Sequence, residues 1–440
     1  MSEPASESPA QRAGIEGALR AAEERFTAAN PLSLERIRAA AGSMPGGNTR
    51  TSLHYSPFPV TFTGGQDQHL TDLDGHVYTD LLGEYSAGLY GHSHPVIIGA
   101  ARKALDGGIA FGGPNTYDVE FADQLKARFP SVDLLRFTNS GTEANLMAIA
   151  TAREVTGRGG VLVFHGGYHG GVLSYRGAAP LNVPYPTVVG SFNDVDGTVA
   201  LLEKHAADLA VVVVEPVIGG GGVIPGTPEF LHALRDTTSR LGILLHFDEV
   251  MTSRLGPSGI QGRVGITPDL TTFGKYLGGG FSFGAFGGAR AIMERYDPGH
   301  PATLGHPGTF NNNTLTMAAG AAGLREVFTP EEAVALNQRG DGLRDALNGV
   351  FADVGVAVQA TGLGSLIGIH FQRGPIERPE QIRAANTERA LLHLELMARG
   401  YYTARRSYLA LSVALTQADL DGFAAAVREI VTEHAALLGA

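Results

Sequence analysis

An α/β fold is what this sequence predicts: a mostly parallel sheet covered by helices, with a smaller α+β portion beside it. Three observations lead there. Short, unbroken apolar runs recur between helical segments from about Asp133 onward, among them Val161–Phe164, Leu209–Glu215 and Ile243–Phe247. Strands buried on both faces read this way, because neither face needs polar residues. The chain has 440 residues, 43% hydrophobic and 18% charged, enough for two domains at roughly 100–200 residues each. Its 60 glycines gather in short motifs rather than spreading as low complexity, which marks backbone that approaches a ligand closely.

Taken in order, the polar and acidic start (MSEPASESPAQRAGIEG) has no apolar core of the kind a signal peptide carries. It reads as a frayed lead-in to a helix near Leu19–Ala28. From Ala21 to Ala41 the pattern is amphipathic and helical, stopped by the Pro45-Gly46-Gly47 turn. Val60–Phe62, Gln68–Asp72, the Asp74-Gly75 turn and Val77–Asp80 then predict hairpins. Leu134–Thr138 is a strand before a helix beginning near Thr142. Leu270–Gly274 leads into Lys275, and Phe283–Gly287 is a further strand. A helix-rich stretch extends from Phe310 to about Val350, and strands near Leu363–Phe371 and Leu409–Leu415 close the chain.

Composition removes several function classes. There is no cysteine, hence no thiol catalysis, thiolate metal site or disulfide framework; that absence fits a cytoplasmic protein. Lys and Arg number 33 against 44 acidic residues, a net charge of -11, so neither nucleic acid nor a membrane surface is an expected partner. No run reaches the roughly 18–20 apolar residues of a membrane span. No His and carboxylate cluster at ligand spacing predicts a metal.

Five short motifs carry chemistry. Ser140-Gly141-Thr142, between a strand and a helix, leaves backbone N–H groups unpaired at a helix N-terminus, a site suited to phosphate. By itself it serves equally as a plain helix cap. Asp248-Glu249 ends a hydrophobic strand, where α/β folds place ligands, and a carboxylate there can keep a bound pyridine nitrogen protonated. Lys275 comes after an apolar strand and precedes Gly278-Gly279-Gly280; burial would lower its pKa and free a neutral amine to attack an aldehyde. Most lysines are merely solvated. Tyr168-His169, flanked by glycines, can lie against a heteroaromatic ring, or form an ordinary turn. Gly308–Asn313 opens a helix and offers a second phosphate donor.

The ordered set SGTEAN, GGYHGG, VVVVEP, FDEVMTSR, TTFGKYLGGG and GTFNNN resembles the class III aminotransferases, pyridoxal-phosphate (PLP) enzymes of fold type I. It is most similar to the branch that contains glutamate-1-semialdehyde aminomutase. The likeness covers the chain from about Pro45 onward. It implies a large domain with a mostly parallel seven-stranded sheet over residues 81–330. Residues 1–80 and 331–440 would build the small domain. It further implies that Lys275 binds PLP as a Schiff base and moves the proton, and that Asp248 pairs with the pyridine nitrogen. Ser140, Gly141 and Thr142 would hold the phosphate. Tyr168, with His169 beside it, and Val250 would flank the ring, and Glu215 would sit at its edge. Thr309 would reach the cofactor of a neighbouring subunit, because the family builds its site at a homodimer interface.

Two arginines bear on the substrate. Arg50 and Arg406 are each fitted to two-point recognition of a carboxylate, though an arginine chosen blind is more often a surface ion pair. Ser253-Arg254, GTFNNN and Glu84–His92 depart from the aminomutase pattern, and the chain has no tryptophan. These departures look like the β-amino-acid transaminases. The resemblance implies an amino donor such as β-phenylalanine, with 2-oxoglutarate or pyruvate as acceptor. Arg50 would hold the donor's carboxylate, Arg406 the keto acid's, and Tyr85 and Tyr90 the apolar side chain. The alternatives are the aminomutase itself and a non-catalytic PLP-fold protein.

Overall fold

The structure, a computed structural model, describes residues 9–438; the part of the expected lead-in before Pro9 lies outside them, and the rest of it, Pro9–Gly17, is already helix. Seven strands form the central sheet, in the order 134–138, 284–288, 270–274, 244–248, 209–214, 160–164 and 187–190. Gly284–Gly288 runs antiparallel to both of its neighbours. The other pairings in this sheet are parallel. The expected mostly parallel sheet is therefore observed. The alternation that builds it is visible within one strand. Val211 and Val213 pack into one cluster with Ala148, Ile149 and Phe286, while Val212 and Val214 pack into another with Phe230, Leu234 and Phe247. Side chains of a strand point alternately to opposite faces, so an all-apolar run needs helices on both. Gly141–Thr156 covers the first face and Pro228–Leu241 the second. Each such valine, fully buried, contributes about 1.5–3 kcal/mol.

The two ends of the chain meet in a smaller sheet. Phe62–Gln66, His69–Asp72 and Val77–Asp80 form the antiparallel hairpins, and Tyr401–Tyr402 joins them parallel to Val77–Asp80. A third sheet pairs Gln359–Leu363, Leu366–His370 and Tyr408–Ala410.

Several boundaries differ from the sequence expectation. The helical stretch over 21–41 is two helices, Pro9–Ala29 and Pro31–Ala40; Pro31 has no N–H to give and pushes Asn30 out of the helical region. The segment 363–371 folds back at Gly364, whose φ is +54°, so most of the expected strand belongs to the second arm of a hairpin. Val60 lies outside any strand, its N–H donating to the Tyr55 hydroxyl at 2.9 Å. Beyond Ala410 the chain leaves the sheet, and Val413 N–H donates to Leu89 O. Among the described residues, no helix is long and apolar enough to cross a membrane.

What matters for the site is the sheet's C-terminal edge. Thr138, Phe164, Val214, Asp248 and Gly274 all end parallel-running strands there. The segments that leave those strand ends converge on one place.

Candidate active site

Asp248 is the buried centre of that edge, 3% exposed. Its Oδ2 accepts from His169 Nδ1 at 2.8 Å and from Asn145 Nδ2 at 2.9 Å, and its Oδ1 accepts from Val250 N at 3.1 Å. Burial pushes the carboxyl up, but the His169 hydrogen bond and charge more than reverse this and hold it below the ordinary carboxylate range. Burial likewise lowers His169, and Asp248 overrides it so that the imidazole sits above its ordinary value. The two form an ion pair with a carboxylate face left to meet a cation.

Behind them runs a network that the linear motifs do not reveal. Thr272 Oγ1 donates to Asn145 Oδ1 at 2.8 Å, and His246 Nε2 lies 3.0 Å from Thr272 Oγ1. Because the hydroxyl spends its proton on Asn145, His246 must donate through Nε2. Burial lowers its pKa to about 3, keeping that imidazole neutral. Asn145 lies within the SGTEAN motif, but its role depends on a helix face turned toward Asp248, which spacing alone does not show.

Lys275 comes directly after Gly274, with φ +59°. Its pKa falls to about 8, chiefly by burial and next by the charge of Arg406, with Glu84, Arg50 and Asp248 also in range. Glu215, 4% exposed, accepts from Tyr168 N at 2.8 Å and Gly219 N at 3.2 Å. Burial raises it to about 7.

Helix Gly141–Thr156 is capped by Ser140, whose Oγ accepts from Glu143 N at 3.1 Å. The N–H groups of Gly141 and Thr142 have no partner within the helix. Glycine is needed at 141: a Cβ would lie 2.8 Å from a Val250 methyl. Thr142 Oγ1 accepts from Gly171 N at 3.3 Å, which ties the Tyr168–Gly171 loop to the same helix end. Tyr168 is 40% exposed, with the guanidinium of Arg176 4.7 Å from its ring centre. Arg176 is another site residue that sequence reasoning does not find.

The structure gathers Ser140, Gly141, Thr142, Tyr168, His169, Glu215, Asp248, Val250 and Lys275 along this edge. Thr309 is exposed, in a loop whose Asn311 accepts from Asn139 Nδ2 at 3.0 Å. Arg50 is ion-paired with Glu84. The guanidinium of Arg406 lies 4.9 Å from the Tyr85 ring centre and 5.3 Å from that of Tyr408. Glu84, Tyr85 and Arg406 line a cavity of about 640 Å³. Gly279, Gly280 and Phe281, a few residues along the chain from Lys275, line it too. Tyr90 lines this cavity as well, although it is only 3% exposed and packed on Tyr276, with its hydroxyl turned to Gly323.

This donor set fits a flat, protonatable heteroaromatic ring that carries an aldehyde and a phosphate. Asp248 suits a ring cation, the helix N-terminus a phosphate, and the amine of Lys275 an aldehyde.

Fold and site together define an α/β protein of PLP fold type I with a lysine of lowered pKa and a buried carboxylate at the sheet edge. The chain belongs to the class-III aminotransferase family, which matches residues 51–394. It is 48% identical to a β-phenylalanine transaminase of Variovorax paradoxus, over 97% of this chain and 98% of the relative. It is 34% identical to a glutamate-1-semialdehyde 2,1-aminomutase of Desulfatibacillum aliphaticivorans, over 91% and 99% of the two chains. A crystal structure of a β-phenylalanine aminotransferase from Variovorax paradoxus matches with a TM-score of 0.95, covering 97% of this chain and 99% of that one at 48% identity. A transaminase solved with PLP bound matches with a TM-score of 0.85 at 31% identity, covering 92% and 98%.

Proposed function

We propose that this protein is a PLP-dependent transaminase that moves the amino group of a β-amino acid, such as β-phenylalanine, to 2-oxoglutarate or pyruvate in two half-reactions. One observation carries the reading most directly: Arg406 and Glu84, the ion-pair partner of Arg50, line one cavity together with Gly279 and Gly280, just beyond Lys275 in the chain. One carboxylate-bearing substrate enters in each half-reaction, and each is given an arginine.

Bound PLP supplies an electron sink that makes the proton beside an attached nitrogen removable. The chain's own residues do the rest. Asp248, held anionic by His169, keeps a cation at the pyridine nitrogen. Gly141 and Thr142 N–H groups, with Ser140, would hold the phosphate. Val250 and Tyr168 would flank the ring, and Glu215 would stand at its edge. Lys275 Nζ would hold the cofactor's aldehyde carbon, and its free amine would take up and return the proton of the substrate carbon that bears nitrogen. Arg50 orients the donor's carboxylate and Arg406 the acceptor's. Tyr85 and Tyr90 would line the space for the apolar side chain.

The protein is proposed to act as a cytoplasmic homodimer. Ile109, Phe111 and Phe310 are 46%, 57% and 60% exposed. They belong to segments knitted together by Asn312 Nδ2 donating to Gly113 O and Thr314 Oγ1 donating to Gly108 O. An apolar surface of this kind beside Thr309 calls for a partner, and Thr309 would then serve the partner's phosphate. Residues 81–330 are proposed as the large domain, with 1–80 and 331–440 as the small one.

Incubation with β-phenylalanine and pyruvate should yield alanine, and with 2-oxoglutarate, glutamate. The 34% identity to an aminomutase favours one rival: 5-aminolevulinate from glutamate 1-semialdehyde, with no alanine or glutamate from β-phenylalanine, would overturn the transaminase. Arg406→Ala should raise the KM for pyruvate at least tenfold more than that for the donor, roughly the loss of a charged hydrogen-bonded pair.

A further inference from the structure

The cavity wall contains a backbone feature that L-amino-acid sterics disfavour. Gly83, Glu84, Tyr85 and Ser86 have φ of 52°, 46°, 52° and 77°, a single left-handed turn in which three residues are not glycine. L residues avoid this conformation, and runs of it are rare. It persists because the surroundings pin it. Asp80 Oδ1 accepts from Leu82 N at 2.8 Å and Gly83 N at 3.1 Å, and Gly88 N donates to Gly83 O at 2.8 Å. A Cβ on Gly83 would lie 2.6 Å from Ala410 O. The Tyr85 hydroxyl donates to Ser52 O at 2.9 Å, and its ring stacks on Tyr408 at 6.0 Å.

The turn aims two successive side chains at the two arginines. Glu84 meets Arg50, and Tyr85 lies under Arg406. The Arg50–Glu84 pair is open to water, with side chains 48% and 51% exposed. Pairs so exposed are weak and readily broken. Glu84 lines the same cavity as Arg406, Gly279 and Gly280, so the pair borders the candidate site; both partners also act electrostatically on Lys275.

We propose that Glu84 is a specificity-determining residue: it holds Arg50 as a stand-in carboxylate, and the carboxylate of the amino donor displaces it on binding. This rests on the reading of Arg50 as the donor-carboxylate residue. The exchange keeps the guanidinium neutralised and oriented when no donor is present, and it sets donor affinity by the difference between two carboxylates. Arg406 has a ring beneath it instead of an anion, so the acceptor meets no such competitor.

The test uses holoenzyme with β-phenylalanine as donor, pyruvate as a single-carboxylate acceptor, and 3-phenylpropanoate as an unreactive donor mimic. Glu84→Gln should lower the donor KM and the inhibition constant of 3-phenylpropanoate by roughly two- to fivefold, the scale of an exposed ion pair. The KM for pyruvate should not move. Glu84→Asp, which keeps the charge on a shorter arm, should fall between Gln and the native enzyme. Arg50→Ala should weaken donor and mimic about tenfold or more. If Arg50→Ala weakens both but Glu84→Gln leaves them unchanged or weaker, the exchange is overturned and Glu84 is a brace. If Arg50→Ala leaves the donor unaffected, the reading of Arg50 itself falls, and the exchange with it.

Discussion

At Lys275 the backbone takes a left-handed φ of +59°, a conformation that costs a non-glycine residue about 1–3 kcal/mol and persists only when its surroundings fix it. The side chain it aims has a pKa lowered to about 8 by burial. A lowered basic group becomes neutral at lower pH, so capture of PLP by the apoenzyme should accelerate about tenfold per pH unit below that value and level off above it. Stopped-flow absorbance would show this; a midpoint near that of a solvated lysine would contradict it. Lys275→Ala should lower turnover by about a thousandfold or more and lose the visible absorption of lysine-linked cofactor. Asp248 invites a second test. Its folded pKa is depressed from 3.8, so its stabilising share is present above 3.8 and lost as pH falls through the folded value. That of His169, raised from 6.5, is present below 6.5 and lost as pH rises through its folded value. Asp248→Asn should therefore destabilise the apoprotein most between these two values, by about 3 kcal/mol. Denaturant melts across pH would measure it, and a flat difference would refute it.

At the scale of elements, the segments just past the strand ends make the site. The helix beginning at Gly141, the loop Gly166–Gly171 and the strand end at Asp248 press against one another with no spare volume. A Cβ on Gly141 would lie 2.8 Å and 2.9 Å from the two Val250 methyls, and one on Gly170 would meet Thr142 Oγ1 at 2.5 Å. Gly141→Ala should thus displace Val250 or the helix end by a few tenths of an ångström. Overpacking of this sort costs about 1–3 kcal/mol, read here as a loss of PLP affinity of about tenfold in a titration of apoenzyme. Unchanged affinity would remove Gly141 from the phosphate cradle.

At the scale of the whole molecule, an apolar surface remains around Ile109, Phe111 and Phe310. Under the proposed dimer it is covered, and Thr309 beside it completes the partner's site. Phe310→Asp should shift the sedimentation profile from dimer toward monomer and reduce activity in proportion at micromolar concentration. A monomeric variant with full activity would show that the site is complete within one chain.

Features differ in how far the chain itself discloses them, according to the range of the interactions that make them. The central strands were readable because double burial removes polar residues from the sequence itself, as at Leu209–Val214. The break at Asn30-Pro31 was written there too, although the amphipathic pattern ran across it and masked it. Lys275, Asp248 and the Ser140–Thr142 helix start could be picked out because strand-then-glycine spacing places them at one sheet edge. Asn145, His246 and Arg176 could not, since their roles arise from contacts between segments far apart in the chain. The same holds for Glu84, whose approach to Arg50 depends on a left-handed turn that no local propensity favours. The strand pattern and the chemistry available at the sheet's edge rest on local spacing, so the chain discloses both. Which charges pair there is set by distances across the fold, and no stretch of chain records it.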